Sequence, residues 1–256
     1  MRKKTSTRAA EAGEGRQGRV RDPEALARMK ASANRFITTV RSLTDEEARG
    51  TTLIPPWTRG HVVTHVARAT DSLCRLLRSA RTGLETPQYA SMEARAAEIE
   101  AGAHRPVEAL VADVLDAEAR FDREIRALPP EAWRKEVRMR TGEHRTPAGL
   151  ILTRIRELEV HHADLAAGYT FAHIPEVTAR WIIDDIVAAL HRRTDVHPLT
   201  IKSTDTALTH TLSPATNEGP TVSGPQAALL AWLSGRATPT SLTATPDNVP
   251  PPPTWI

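Results

Sequence analysis

A carboxylate and an imidazole lie four residues apart in the segment 154–165, whose sequence is RIRELEVHHADL. On a helix, which turns by about 100° per residue, Glu157 and His161 point within about 40° of each other. Such a pair can hold one divalent cation, and a distant histidine would complete a three-ligand site with one position open for chemistry. The spacing therefore indicates a metal-dependent enzyme, although a Glu-x-x-x-His pair also fits an ordinary hydrogen bond.

A pair of histidines with the same spacing, His61 and His65, lies in another segment of helical periodicity. His65 falls in an apolar stripe with Val62 and Val66, so burial favours it as the third ligand. His61 lies nearer the predicted helix start, where water has access. We therefore expect His65, rather than His61, to join the acidic pair.

The remaining polar residues of the segment 154–165 are expected to point away from the metal. His162 lies about 140° around the helix from Glu157, so His161 is the better partner. Glu159 and His162 form a pair on another face, which we expect to be solvent-exposed or to lie behind the ligands. Asp164, three residues after His161, could orient that imidazole or cap the helix end.

Cysteine usage excludes several kinds of site. Cys74 is the only cysteine of the 256-residue chain, so an intrachain disulfide and a cysteine-based metal cluster are excluded. Cys74 is about 180° from His65 around a helix, and we interpret it as a core or boundary residue. Any reacting thiol is then expected to come from outside the protein.

The positive charge is concentrated at the N-terminus. Residues 1–22 contain seven Lys/Arg and three Asp/Glu, so that with a net charge of +3 the rest of the chain carries about −1. This distribution argues against nucleic-acid binding by the folded part. There is neither an apolar segment of the roughly 18–20 residues that span a membrane nor an apolar secretory signal. We expect a cytoplasmic protein without membrane contact, and favour a monomer.

Helical elements would position the candidate ligands. Caps and apolar spacing predict helices that begin near Pro23, Arg59, Met92, Pro106 and Pro147. Long helices joined by short breaks are typical of an up-and-down four-helix bundle. Beyond Gly168 the patterns predict helices at 177–193 and 225–233 and strands at 199–204, 208–212 and 241–245.

The predicted fold class is α+β, mainly α, in four parts. These are a disordered basic tail at 1–21, the helical bundle at 22–168, a linker at 169–176 and a small α/β domain at 177–256. The proline run at 250–253 is expected to be extended and peripheral.

Four segments carry a more specific signal. They are WTRGHVVTHVAR at 57–68, YASMEARAAEIEAGA at 89–103, RIRELEVHHADL at 154–165 and LLAWLSGR at 229–236. In order and separation they resemble the mycothiol-dependent maleylpyruvate isomerase family over residues 25–243. The basic tail and the proline-rich end lie outside the resemblance.

The resemblance implies a DinB-like metal-binding bundle joined to the smaller domain, and a division of roles among residues. It assigns zinc, or another divalent metal, to His65, Glu157 and His161, and a catalytic role to Arg236. The implied reaction converts maleylpyruvate to fumarylpyruvate with mycothiol as cofactor. Adding the thiolate to the double bond leaves a single bond that can rotate, and its expulsion restores the bond in the trans form.

The implied chemistry accounts for the residue types. A free thiol, with a pKa of about 8.5, is mostly protonated at neutral pH, and coordination to a cation favours the thiolate. Arg236 would bind the dicarboxylate substrate and the enolate-like charge that forms on addition. Arg59 and His61 are weaker candidates for substrate or cofactor contacts, and Trp57 and Trp232 are interpreted as core residues outside the site.

Two other functions remain open at this point. A mycothiol S-transferase on the same scaffold would use the same ligands, with the thiol remaining attached to the product. A non-enzymatic metal-binding regulatory protein would hold the metal in a closed site, which three ligands and an open position fit less well.

Overall fold

The computed structural model describes residues 22–213, 219–236, 240–246 and 248–254, so the predicted basic tail at 1–21 lies outside the described residues. The helices are α1 (Pro23–Arg41), α2 (Asp45–Ala48), α3 (Arg59–Thr82), α4 (Met92–Ala103), α5 (Val107–Arg126), α6 (Pro147–Asp164), α7 (Glu176–His191) and α8 (Gln226–Leu233). The strands are β1 (Val137–Arg138), β2 (His144–Arg145), β3 (Thr200–Ser203), β4 (Thr209–Thr211), β5 (Thr221–Gly224) and β6 (Thr243–Thr245).

The two helices that carry the candidate ligands begin at side-chain caps. The Thr58 hydroxyl accepts from the backbone N–H of His61, and the His61 side chain completes a capping box at the start of α3. Gly83, with φ at 75°, ends α3 in the left-handed conformation that glycine tolerates best. Thr146 caps α6 and Pro147 occupies its first turn. Both helices are therefore held at defined ends.

Four helices form the bundle, and they pack around its axis in the order α1, α6, α3, α5. Their apolar faces meet in a core whose largest fully buried members include Phe36, Leu73, Leu77, Phe121 and Leu158. Helices α3 and α6 are neighbours in this ring. Side chains that lie beside the core on α3 can therefore contact side chains in the same position on α6.

A second core lies between α7, α8 and a four-stranded sheet of order β4–β3–β5–β6. Strands β3 and β5 are parallel, and the other neighbours are antiparallel. Val160 and Ala163 of α6 belong to this core, so α6 contributes to both. The predicted α+β, mainly α fold class is confirmed, whereas the domain boundaries stay a prediction.

Some elements differ from the sequence-based expectation. Helix α2, strand β5 and the β1–β2 hairpin were not predicted, and each element is only two to four residues long. Among the described residues, no helix combines the length and apolarity needed to cross a membrane.

Candidate metal centre and cavity

One histidine of α3 and the acidic pair of α6 come together. His65 Nε2 lies 3.0 Å from His161 Nε2, and Glu157 Oε2 lies 3.4 Å from each of these nitrogens. Tetrahedral zinc with bonds of about 2.0–2.2 Å separates its ligand atoms by about 3.3–3.6 Å. The two distances from Glu157 lie in this range, and the imidazole nitrogens would need to separate by a few tenths of an ångström for the three side chains, which we call the inner cluster, to fill three corners of such a site. Metal binding itself stays a prediction.

Hydrogen bonds determine which nitrogen of each imidazole carries the proton. His161 Nδ1 donates to Asp164 Oδ2 at 2.8 Å, which leaves the lone pair on Nε2. An Arg95 guanidinium nitrogen lies 3.0 Å from His65 Nδ1 and can only donate, so His65 carries its proton on Nε2. Coordination through His65 Nε2 would require that proton to move to Nδ1 and Arg95 to turn away.

Two of the three pKa shifts in the inner cluster favour metal binding, whereas the raised pKa of His161 opposes it because a protonated imidazole cannot coordinate. Burial, followed by the proximity of His161, lowers the pKa of His65 to about 4. Burial alone would raise the pKa of Glu157, but hydrogen bonds with His161 and His65 hold it well below its ordinary value. Burial would lower the pKa of His161, whereas hydrogen bonds with Asp164 and Glu157 raise it. At neutral pH the cluster thus offers an ionised carboxylate and a neutral His65.

Arg236, which follows α8, reaches the end of α6. Its Nε and Nη2 each lie 3.2 Å from an oxygen of Asp164, and its Nη1 donates to the backbone carbonyl of Ser234. Asp164 is fully buried and therefore connects Arg236 to His161. A guanidinium has five N–H groups, so the edge formed by Nη1 and Nη2 retains one further donor on each nitrogen.

A cavity of about 940 Å³ borders the inner cluster and Arg236. Seven arginines line it, against three carboxylates, which are Glu143, Glu157 and Asp185. The arginines are Arg95, Arg140, Arg145, Arg156, Arg192, Arg193 and Arg236. A cavity with this excess of positive charge attracts an anionic ligand.

Comparisons with known proteins agree with this geometry. The family model of the mycothiol maleylpyruvate isomerase N-terminal domain matches residues 29–166, more than half of the chain. The chain belongs to the mycothiol maleylpyruvate isomerase family.

Two solved structures extend the similarity beyond that domain. The crystal structure of the mycothiol-dependent maleylpyruvate isomerase is 30% identical, with a TM-score of 0.84, over 91% of this chain and 96% of that one. A mutant of that enzyme with a histidine replaced by alanine matches at 29% identity, with the same TM-score and coverage. No curated protein matches the chain. The resemblance inferred from the four sequence segments, and with it the DinB-like bundle, is confirmed.

The proline-rich end lies outside the predicted family resemblance, and the expectation that it is peripheral is wrong. Pro252, Pro253 and Thr254 line the cavity, and Arg193 donates to the backbone carbonyl of Thr254. Trp57 packs against the bundle core, as interpreted from the sequence, and it also lines the cavity, with its ring 5.3 Å from that of His65. Both features depend on tertiary contacts that the local sequence does not report.

Of the two alternatives for Glu159 and His162, solvent exposure is wrong, because both side chains are buried. The carboxylate of Glu159 accepts hydrogen bonds from Arg35 and Tyr169, and the latter is 2.5 Å long. His162 is 2.7 Å from the Thr39 hydroxyl, and its ring stacks on Tyr169 at a centroid distance of 3.8 Å. Helix α1 and the segment after α6 cover this face, which in an isolated helix would be open to water.

The other polar residues near the start of α3 have structural partners. Arg59 donates to the backbone carbonyls of Leu165 and Ala166 and thereby ties α3 to the end of α6.

Trp232 is buried and donates to the Pro250 carbonyl, in agreement with its predicted place in the core. Cys74 is buried, and burial followed by Asp71 raises its thiol pKa to about 12.

Arg95 was not among the residues predicted from the sequence, although it lies within the 89–103 segment that carries the family resemblance. Its side chain reaches His65 because α4 packs against α3. A residue spacing along one helix does not report such a contact between two helices.

Proposed function

We propose that the protein is a zinc- and mycothiol-dependent cis-trans isomerase that converts maleylpyruvate to fumarylpyruvate. The observation that supports this most is the convergence of His65, Glu157 and His161 at the wall of a cavity rich in arginine. A divalent metal, when bound, favours the deprotonated form of a coordinating thiol, so mycothiol could add to the substrate double bond and leave again.

The chain's own contribution begins with holding the ligands. His65, Glu157 and His161 would hold the metal, and Asp164 keeps the proton of His161 on Nδ1 so that Nε2 presents its lone pair. The same carboxylate holds Arg236 through both of its oxygens. Asp164 therefore sets the position of the metal ligand and of the substrate-binding cation together.

Two arginines suit the two carboxylates of the substrate. Arg236 lines the cavity, and a planar fork of donors matches a carboxylate. Arg95 is released from His65 Nδ1 once that nitrogen carries a proton, and its buried Nε has no hydrogen-bond partner among the described residues. Arg95 is then free to bind the second carboxylate, and the two cations stabilise negative charge that develops on the substrate.

The test is an assay of the zinc-loaded full chain with maleylpyruvate, with and without mycothiol. We expect fumarylpyruvate to form only when mycothiol is present, and the mycothiol concentration to be unchanged at completion. Isomerisation without any thiol would overturn the proposal. Stoichiometric consumption of mycothiol into a stable adduct would overturn it in favour of the S-transferase.

Variants of the two arginines test their assigned role. Arg236→Gln is expected to lower kcat/KM by about 10²–10³-fold, the effect of removing a donor that faces developing charge. Arg95→Gln is expected to raise KM. Arg78→Gln is the matched control, because Arg78 lies on the same bundle but is exposed and pairs with Glu124 outside the cavity. Equal kinetics in all three variants would contradict the assignment.

A further inference from the structure

A second histidine–carboxylate cluster lies where the start of α3 meets the end of α4. His61 Nε2 is 3.1 Å from Glu100 Oε2, and His104 Nε2 is 3.3 Å from Glu100 Oε1. One ligand atom of each side chain lies within 4.8 Å of the others, and we call this group the outer cluster. Glu100 and His104 repeat the order and four-residue spacing of Glu157 and His161.

Two glycines set the backbone contact that brings the outer cluster together. A Cβ on Gly60 would lie 2.0 Å from the carbonyl oxygen of Ala103, and a Cβ on Gly102 would lie 2.5 Å from Cγ2 of Thr64. Only glycine permits so close an approach of one helix to another. The close contact between the start of α3 and the end of α4 therefore holds the three side chains next to one another.

The imidazoles of the outer cluster can present lone pairs to a common ion. His61 Nδ1 accepts the backbone N–H of Thr58 at 3.2 Å, so its proton lies on Nε2, which faces Glu100. Coordination through Nε2 would require that proton to move to Nδ1, from which it can be donated to the Thr58 hydroxyl oxygen 2.7 Å away. His61 is only 8% exposed, whereas the side chains of Glu100 and His104 are 68% and 63% exposed. Water can therefore fill the coordination positions that the protein leaves open.

We propose that His61, Glu100 and His104 form a second site for a divalent transition metal, with zinc as the expected occupant. Two imidazole nitrogens and a carboxylate suit zinc, whereas magnesium and calcium prefer oxygen ligands alone. We expect an affinity about 10–100-fold below that of the inner cluster, because among the described residues no buried carboxylate such as Asp164 orients the exposed His104. The site goes beyond the proposed isomerase reaction and does not depend on it.

A metal in the outer cluster would join the start of α3 to the end of α4. Helix α4 also carries Arg95, which contacts His65 of the inner cluster. Binding to the folded state alone stabilises it, so saturation of the outer cluster is expected to raise the melting temperature and to hold α4 on α3.

The experiment measures zinc stoichiometry on the full chain. Protein stripped with a chelator is dialysed against increasing free zinc, and bound zinc is measured by atomic emission and by isothermal titration calorimetry. We expect two equivalents in the wild type, with the second binding more weakly. His104→Ala and Glu100→Ala are each expected to bind one equivalent, the tight one, and Glu157→Ala to keep only the weak one.

Matched controls separate this site from general surface binding. His144 is also an exposed histidine, on β2, and His144→Ala is expected to retain both equivalents. His104 and Glu100 are exposed, so their replacement leaves the core intact, which circular dichroism checks. A single equivalent in the wild type, or two in both His104→Ala and Glu100→Ala, would show only a hydrogen-bonded triad and overturn the proposal. Whether Glu157→Ala loses the tightly bound zinc tests the inner cluster, and so tests the proposed function independently of the outer cluster.

Discussion

The inner and outer clusters have the same composition but different surroundings. Each combines one histidine of α3 with a Glu-x-x-x-His pair from a second helix. In the inner cluster, burial and the buried Asp164 control the ligands, and a cavity with seven arginines lies beside them. In the outer cluster two of the three side chains are exposed, and Thr58 supports only the histidine of α3.

The difference shows that residue spacing can indicate possible metal ligands but does not decide what a bound metal would do. Catalysis needs a place for substrate and groups that stabilise its changing charge, and only the inner cluster borders the cavity. A surface site with the same ligands can bind metal and stabilise a helix contact. The two glutamates, Glu157 and Glu100, therefore give a direct test of the comparison.

The largest expected effect is that of Glu157→Ala compared with Glu100→Ala. Removing a ligand of the inner cluster should lower mycothiol-dependent isomerisation by well over the roughly 10–100-fold that loss of an orienting partner costs. Glu100→Ala should retain the wild-type initial rate. Rates measured with maleylpyruvate, together with zinc content, check this. If Glu157→Ala kept both zinc and full activity, the inner cluster would not be the catalytic site.

The next largest expected effect is a loss of folding stability at low pH, caused by the buried His162. Burial, followed by Arg35 and His173, lowers the pKa of His162 to about 4. Above pH 6.5 His162 is neutral in both states. As pH falls from 6.5 to 4 the unfolded chain takes up a proton that the folded protein refuses, so stability is lost by at most about 3 kcal/mol.

Urea unfolding of the wild type and of His162→Gln from pH 7 to pH 4 measures that loss. The variant should show a smaller decrease in the free energy of unfolding over this interval. Identical pH profiles for the two proteins would contradict the assignment to His162.

A smaller effect is expected from the partners behind the ligands. Asp164→Asn preserves the shape of the side chain but removes the charge that holds His161 and Arg236, and should cost about 10–100-fold in metal affinity or in activity. Thr58→Ala is its counterpart at the outer cluster and should leave the isomerisation rate unchanged, with about 1 kcal/mol lost through the missing helix cap. Equal activity losses in both variants would remove the distinction between the clusters.

The helical part of the fold was predictable because its signals are local. Helix α3 begins after Thr58 and ends at Gly83, and α6 begins at Thr146 and Pro147, as caps and apolar spacing predicted. Strand β5 was missed because its four residues acquire strand geometry only by pairing with β3 and β6. Its partners lie roughly twenty residues away on either side, where no local pattern indicates pairing.

The candidate site was predictable to the same extent. Helix phase alone favoured His65, Glu157 and His161, and the structure brings these three together. Arg95 and the outer cluster were not predicted, because their positions depend on the glycine-mediated contact of α3 with α4. Solvent exposure was one of two alternatives for Glu159, and it is wrong because α1 packs against that face of α6.

The smallest expected effect is that of Cys74→Ala, and it tests a property that both clusters share: neither contains a thiol. The Cys74 thiol is buried and its pKa is about 12, so it supplies no thiolate at neutral pH. The variant should keep its isomerisation rate within about twofold and still require mycothiol, because the proposed nucleophile is external. Rates with and without mycothiol measure this, and a variant that lost activity at full zinc occupancy would place the reacting sulfur inside the protein.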